Sequence, residues 1–483
     1  MRTRVSSLNL LELARTAPVH FMGVDGAGMC ALAELLVRSG GKVTGCDLKE
    51  SARVRRLESL GCGIDLGHHS HHVDDASALV ITAAVPEDHP EVARALERGV
   101  PVLKRAAALG AVVNHGRVVA IAGTHGKTTT SAMAAETLAA GGMDPTALVG
   151  GTVVEWEGNL RYGRSDLFVV EADEYDRSFH ELEPDVAVVT NVEADHLDVY
   201  GELAGVEDGF RDFLENVRPG GRVVVCADDT GASRLLAGLP FDGYTYGLSS
   251  GSQLRAVDVD TTTAGIRCRV VENGDDMGSL SLGVPGLHNL RNALGAAAAA
   301  RHLGVEWEAI ALGLAAYHGV ARRFERLGQA GGVDVIDDYA HHPTEIRATL
   351  QAVRTTYPDR QVVTVFQPHL FSRTRDFHRD FGVSLTGADV VWVTDVFPAR
   401  EPPIPGITGE LIVAATRDHG GPQVHYHPDL EGLPAAIVPT LHPGDVVVTL
   451  GAGSVEVVGA LVLDLLRQRG TGTGDERSRG ENA

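Results

Sequence analysis

An apolar strand that runs directly into a glycine-bounded loop and then into a helix admits few folds, and residues 118–140 have that arrangement. Residues 118–122 are strand-like, Gly123-Thr124-His125-Gly126-Lys127-Thr128-Thr129-Thr130 form the loop, and helix-like sequence follows from 128 to 140. Such a unit belongs on a parallel sheet, with the loop at the carboxyl end of its strand and the helix amides turned toward an anion. Lysine is scarce: only Lys42, Lys49, Lys104 and Lys127 occur, and arginine supplies the other fixed cations. A lysine kept in this loop points to phosphate, because a compact ammonium on a flexible stem follows a phosphoryl group better than a planar guanidinium does. Thr128 is then the expected Mg²⁺ ligand. The spacing is the shorter Gly-x-x-Gly-Lys-Thr form, with Ile121 where the longer phosphate-loop pattern has glycine.

The rest of the chain repeats the α/β alternation. At 483 residues it is too long for one core. In a first segment (1–116), strands are expected at 19–24, 42–46 and 79–82 and helices at 29–39, 51–60 and 90–98, which predicts a parallel sheet. The turn Gly23-Val24-Asp25-Gly26-Ala27-Gly28 resembles a dinucleotide fingerprint, with Asp25 in place of the glycine nearest the pyrophosphate and Asp47 where a ribose-binding carboxylate is expected. A plain α/β turn, a nicotinamide site and a site for another nucleotide-like ligand all fit that turn. The cluster His68, His69, His71 and His72 reads as a solvated turn in preference to a metal tract.

A second segment (117–318) adds two acidic motifs after strands at 167–170 and 186–190: Glu171-Ala172-Asp173-Glu174-Tyr175-Asp176 and Asn191-Val192-Glu193-Ala194-Asp195-His196-Leu197-Asp198. Carboxylates at strand ends beside a phosphate loop suit Mg²⁺, with His196 a further metal ligand; two solvated acidic loops are the bland alternative. His288-Asn289-Leu290-Arg291-Asn292 opens an alanine-rich helix that reaches His302. The third segment (319–467) has strands at 333–337, 362–366, 390–393 and 446–450. Asp337-Asp338-Tyr339-Ala340-His341-His342-Pro343 and Gln367-Pro368-His369-Leu370-Phe371-Ser372-Arg373-Thr374-Arg375 follow two of them, and His and Arg at that density suit a carboxylate or phosphate. Gly451-Ala452-Gly453-Ser454 reads as a further anion-type turn. The tail, 468–483, is expected to be disordered.

Composition excludes several function classes. The formal net charge of −22 disfavours nucleic acid. No apolar stretch approaches the roughly 20 residues of a membrane span, and the N-terminus lacks the apolar core of a secretory signal. Five cysteines without a C-x-x-C pair point to a reducing compartment, hence the cytoplasm. The oligomeric state is not legible.

Taken in order, these motifs resemble the Mur ligase family, and most closely its alanine-adding members, over nearly the whole chain. The resemblance rests on His20-Phe21-Met22-Gly23 through Gly28-Met29, the lysine loop, both acidic motifs, His288–Asn292, Arg322-Arg323-Phe324-Glu325, and the motifs at 338–343 and 367–375. It implies an α/β protein of three domains: a Rossmann-like UDP-binding domain, a central P-loop ATPase-type domain on a mostly parallel sheet, and a C-terminal Rossmann-like domain. It also implies ATP-dependent joining of L-alanine to UDP-N-acetylmuramate through an acyl phosphate. On this resemblance UDP-sugar contacts fall on Gly23, Gly26, Ala27, Gly28, Met29, Asp47 and His68. ATP contacts fall on Gly123, Thr124, His125, Gly126, Lys127, Thr128, Thr129, His288, Asn289, Asn292, Arg323 and Asp338. Thr128, Glu171 and His196 hold Mg²⁺; Tyr339, His341 and Arg373 meet the amino acid. Lys127, His196, His341 and Arg373 are the expected catalytic set, His341 as a proton acceptor.

The chain departs from the family pattern at Asp25 (usually glycine), Leu370 (often arginine), Tyr175 (commonly serine) and Thr82-Ala83 (two serines). Tyr175 also occurs in a related ligase that recycles a tripeptide onto UDP-muramate, the nearest rival reading; Gly28-Met29 argues against it. A nucleotide-gated binding protein without turnover is the rival from another class.

Overall fold

The structure, a computed structural model, describes residues 8–82, 84–239, 243–263, 265–399 and 401–472. They fall into two compact units, one made of Met1–Val259, Cys268–Ser281 and Leu290–His318, the other of Asp260–Arg267, Leu282–Asn289 and Gly319–Ala483. Among the described residues no helix is long and apolar enough to cross a membrane.

The first unit carries two sheets. Its smaller sheet has five strands in the order Gly63–Leu66, Val43–Asp47, Val19–Met22, Ala78–Ile81, Val102–Lys104. All pairs are parallel. The chain reverses its direction of travel across the sheet beside Val19–Met22, so the glycine turn at 23–28 sits at the switch point where ligands of such sheets bind. The Gly23 amide donates to Cys46 O (2.9 Å), and helix Ala27–Arg38 starts with Gly26 as its cap.

The larger sheet runs Tyr244–Gly247, Arg222–Cys226, Val186–Val189, Arg117–Ala122, Leu167–Glu171, Thr146–Val153, Gly158–Arg161, with Leu254–Thr262, Gly265–Glu272 and Asp275–Leu282 extending the Tyr244 side to ten strands. Arg117–Ala122 is flanked on both sides by parallel neighbours, with Ile121 opposite both Val188 and Glu171. Near-continuous valine and alanine runs in these strands fit burial on both faces. The second unit holds a six-stranded sheet, Glu325–Ala330, Val333–Asp338, Val446–Leu450, Val362–Phe366, Val390–Val393, Gln423–Tyr426. Only the Glu325–Ala330 pairing is antiparallel.

Several expectations change against this architecture. Helix Glu456–Gly472 continues past the tail boundary at 468, carried by an apolar stripe that packs Val458, Val462 and Leu466 into the core; residues 473–483 lie outside the described residues, as does Ala83 of the Thr82-Ala83 departure. The histidine cluster is not uniformly solvated. His69 and His71 are exposed, but the 3₁₀ turn Ser70–Val73 carries the His72 ring inward to 4% side-chain exposure.

Candidate active site

The loop expected to take phosphate is held open by its neighbours. Gly123 (φ +138°) leads out of the strand, and a Cβ there would lie 1.9 Å from Thr190 Oγ1; Gly126 (φ +82°) caps helix Lys127–Ala140, and a Cβ there would lie 2.5 Å from Asn292 Oδ1. Both positions therefore require glycine on conformation and on space. The end of the adjacent strand fixes the loop's shape. Asn191 Oδ1 accepts from the His125 amide (2.7 Å), Thr190 Oγ1 donates to His125 O (2.6 Å), and the Thr124 hydroxyl accepts from the Glu193 amide (2.9 Å). Thr129 is buried in the first turn of the helix.

Lys127 turns inward. Its Nζ donates to Gly123 O (2.6 Å) and Thr124 O (3.2 Å) and pairs with Glu174 at 2.7 and 3.0 Å. Burial alone would lower the lysine pKa, but Glu174, Asp173 and Glu171 together hold it above the ordinary value, so the ammonium stays charged. His196, in a left-handed conformation (φ +53°) at the start of a short helix, places Nε2 3.7 Å from Glu174 Oε1. Tyr175 packs its ring edge-on to His196 at 5.1 Å. Glu174 is thus central to the site, though sequence reasoning did not single it out; its only signal was a place three residues past a strand end.

Glu171 leaves the strand beside the loop. One carboxylate oxygen accepts from the Gly150 amide (2.7 Å), while Oε1 is buried with no hydrogen-bond partner. Burial holds its pKa above the ordinary carboxylate value, and the Thr128 hydroxyl and Lys127 only partly offset that rise. A buried, unpartnered carboxylate oxygen beside a threonine hydroxyl fits a hard cation. Three segments distant in sequence (123–128, 171–174 and 190–196) meet because they leave the carboxyl ends of three adjacent parallel strands. Of the expected ATP contacts beyond the loop, Asn292 joins this group over Gly126.

In the small sheet, Asp25 turns away from the glycine turn. Its carboxylate accepts from Ser51 Oγ and from Arg53 Nε (3.1 Å). Asp47 accepts from the amides of Asp25 (2.9 Å) and Leu48 (2.7 Å), bracing the turn. Gly28 and Met29 enter the helix, Met29 being buried; His68 Nδ1 lies 3.1 Å from Cys46 Sγ.

The second unit contains His288, Asn289, Arg323, Asp338, Tyr339, His341 and Arg373. Asn289 Nδ2 donates to Pro285 O (2.7 Å). The Asp338 carboxylate accepts from the amides of Phe324 and Ala340, each at 2.8 Å. Burial pushes its pKa up to about 6 against the pull of Arg323 and those amides. Arg322 and Arg323 each stand 5.1 Å from the Tyr339 ring centroid. His341 Nδ1 faces Tyr339 O (3.0 Å), and its ring is 5.3 Å from the Tyr339 ring. Arg373 is buried in the first turn of helix Phe371–Leu385, whose cap, Leu370, has φ +69°. Beside the turn at 451–454, Gln367 Oε1 accepts from the Val455 amide (3.0 Å) and would meet a Cβ on Gly453 at 2.5 Å.

Models of the Mur ligase family match three stretches in order: the family's catalytic domain at 18–117, its middle domain at 121–300, and its glutamate ligase domain at 322–453. Among similar proteins are a UDP-N-acetylmuramate–L-alanine ligase of Salinibacter ruber, 42% identical over 96% of this chain and 98% of its own, and one of Rubrobacter xylanophilus, 46% identical over 92% and 99%. The solved UDP-N-acetylmuramate-alanine ligase of Thermotoga maritima superposes with a TM-score of 0.78 at 29% identity, covering 94% of this chain and all of that one.

Proposed function

This chain is a member of the Mur ligase family, and from that membership we propose that it is the ATP-dependent ligase that joins L-alanine to the carboxylate of UDP-N-acetylmuramate. The products are the amide, ADP and phosphate, in cytoplasmic synthesis of the peptidoglycan precursor. The observation that carries the reading is end-to-end similarity to alanine-adding ligases, at 42% and 46% identity. The charged Lys127 in its glycine loop supports it.

A carboxylate is a poor electrophile, and transfer of the γ-phosphoryl group of ATP converts it to an acyl phosphate. The loop amides and Lys127 bind the transferring phosphates, and the helix N-terminus behind them adds a favourable dipole. Thr128, Glu171 and His196 would hold Mg²⁺, whose charge would offset that developing on the phosphoryl oxygens. Glu174 keeps Lys127 protonated and aimed. Asn292 contacts the nucleotide, together with His288, Asn289, Arg323 and Asp338. The UDP-sugar rests on the glycine turn 23–28, with Met29, Asp47 and His68. Arg373 pairs the carboxylate of L-alanine, whose amine attacks the acyl phosphate; Tyr339 and His341 lie beside it, His341 taking the amine proton. We assign the UDP-sugar to residues 1–116, ATP to 117–318 and the amino acid to 319–467.

The test is phosphate release from ATP and Mg²⁺ with UDP-N-acetylmuramate and either L-alanine or the free tripeptide. Release that requires both the sugar and L-alanine supports the reading. Preference for the tripeptide moves the protein to recycling, and no release with either removes it from catalysis.

A further inference from the structure

The small sheet of the first unit buries a group of side chains that the ligase chemistry does not use. In a parallel pair, residues opposite one another share a face, and Met22 lies opposite Cys46. His20, two residues before Met22, therefore points to the same side as Cys46. Helix Pro90–Glu97 and the 3₁₀ turn Ser70–Val73 cover that face, delivering Glu91 and His72. Exposure is 1% for His20 and 0% for Cys46 and Glu91, and 4% for the His72 side chain.

One potential ligand atom from each of these four residues lies within 4.8 Å of all the others. His20 Nε2 to Glu91 Oε2, at 3.7 Å, is too long for a good hydrogen bond, while Cys46 Sγ lies 3.6 Å from both Glu91 oxygens, within reach of a thiol donor. His72 Nδ1 to Glu91 Oε1 is 3.2 Å. A tetrahedral centre with bonds near 2.1 Å to nitrogen or oxygen and 2.3 Å to sulfur has ligand–ligand edges of about 3.4–3.6 Å. His20 Nε2 is buried with no hydrogen-bond partner. Its other nitrogen, Nδ1, sits 2.9 Å from Thr44 Oγ1, which leaves Nε2 as the lone-pair atom when Nδ1 carries the proton.

The charge balance is also incomplete. The Glu91 carboxylate accepts from the His69 amide (2.8 Å). Its ion-pair partners among the described residues are histidines, with no arginine or lysine. A buried carboxylate faced by imidazoles and a thiol, with no lysine or arginine against it, is the setting for a cation.

We propose that His20, Cys46, His72 and Glu91 form a buried structural site for one zinc-class divalent cation, pinning two strands of the small sheet to the turn and helix that cover them. Mixed nitrogen, sulfur and oxygen donors favour Zn²⁺ over the hard Mg²⁺ used with ATP. Binding displaces the Cys46 proton to solvent. The site lies directly beneath the glycine turn, because Cys46 O accepts from the amides of Gly23 (2.9 Å) and Val24 (3.2 Å).

The test uses the full chain, stripped with chelator, kept reduced and saturated with Mg²⁺, then titrated with Co²⁺. One Co²⁺ per chain is expected, with tetrahedral ligand-field bands, a thiolate-to-cobalt charge-transfer band and displacement by Zn²⁺. Cys46→Ser should lose the charge-transfer band, and His72→Asn should weaken binding at least about tenfold; circular dichroism checks that both variants fold. Zn²⁺ should raise the melting temperature of the parent chain and not of Cys46→Ser. Absence of the band in the parent chain, its persistence in Cys46→Ser, or an equal melting shift in both would overturn the site and leave a hydrogen-bonded network only.

Discussion

Lys127 Nζ lies 2.7 Å from Glu174 Oε2, and the same ammonium donates to two carbonyls of its own loop. The lysine that should meet phosphate is thus fully bonded before phosphate arrives. On the proposed reading, nucleotide binding is an exchange of partners, in which Lys127 would release Gly123 O and Thr124 O and Glu174 would remain behind it as a counter-charge.

Lys127→Ala should reduce ATP-dependent amide formation by at least about 10²-fold, since it removes a charge aimed at the transition state. UDP-sugar binding, measured by calorimetry, should stay unchanged because the glycine turn sits on another sheet. Full retained activity would sink the assignment of the loop.

Glu174→Gln keeps the shape and removes the charge. The Lys127 ammonium is then buried without its partner, at a cost of about 3 kcal/mol in unfolding free energy. The double variant Lys127→Met/Glu174→Gln should recover part of that loss in urea titrations; additive losses would show that the pair is not coupled.

Asp25→Gly restores the residue usual in the family. Because the Asp25 carboxylate is engaged by Ser51 and Arg53, KM for the UDP-sugar should change less than about threefold, under about 0.7 kcal/mol. The melting temperature should fall, reflecting roughly 1 kcal/mol of lost hydrogen bonding. A large gain in UDP-sugar affinity would mean that Asp25 repels the substrate.

The α/β class and the convergence of motifs at strand ends were legible because parallel strands advertise themselves as short valine-rich runs followed by glycine or acidic loops. Val362–Phe366, Val390–Val393 and Val446–Leu450 agree with their expected bounds residue for residue. The edge strands Gly63–Leu66 and Gln423–Tyr426 were not, since half-exposed strands of mixed polarity lack that pattern. Glu174 was hidden among four acidic residues in a six-residue stretch; only the packing distinguishes the one that meets Lys127. The inward turn of His72 was equally illegible, because it depends on a 3₁₀ turn packing against a helix that begins at Pro90.

The Asp338 carboxyl, raised by burial from an ordinary 3.8 to about 6, gives a pH test with a defined sign. Between about pH 4 and pH 6 the folded chain holds this proton while the unfolded chain has lost it. Stability from this group is therefore fully present below about pH 4 and falls as pH rises to about 6, by on the order of 2–3 kcal/mol. Urea midpoints of the parent chain and Asp338→Asn across that window should diverge accordingly. Parallel curves would show that the group titrates normally.

The placement of the lysine loop between two parallel neighbours carries a consequence for how the chain matures. Strand 117–122 pairs with 167–171 on one side and 186–189 on the other, both far along the chain from it, and these parallel pairings close long loops before any contact rewards the entropy lost. The loop's shape depends on Thr190 and Asn191, which arrive only with the last of these strands. Competence to bind nucleotide should therefore emerge late in refolding, after secondary structure is complete, and a truncated nascent chain ending before residue 190 has no means of acquiring it.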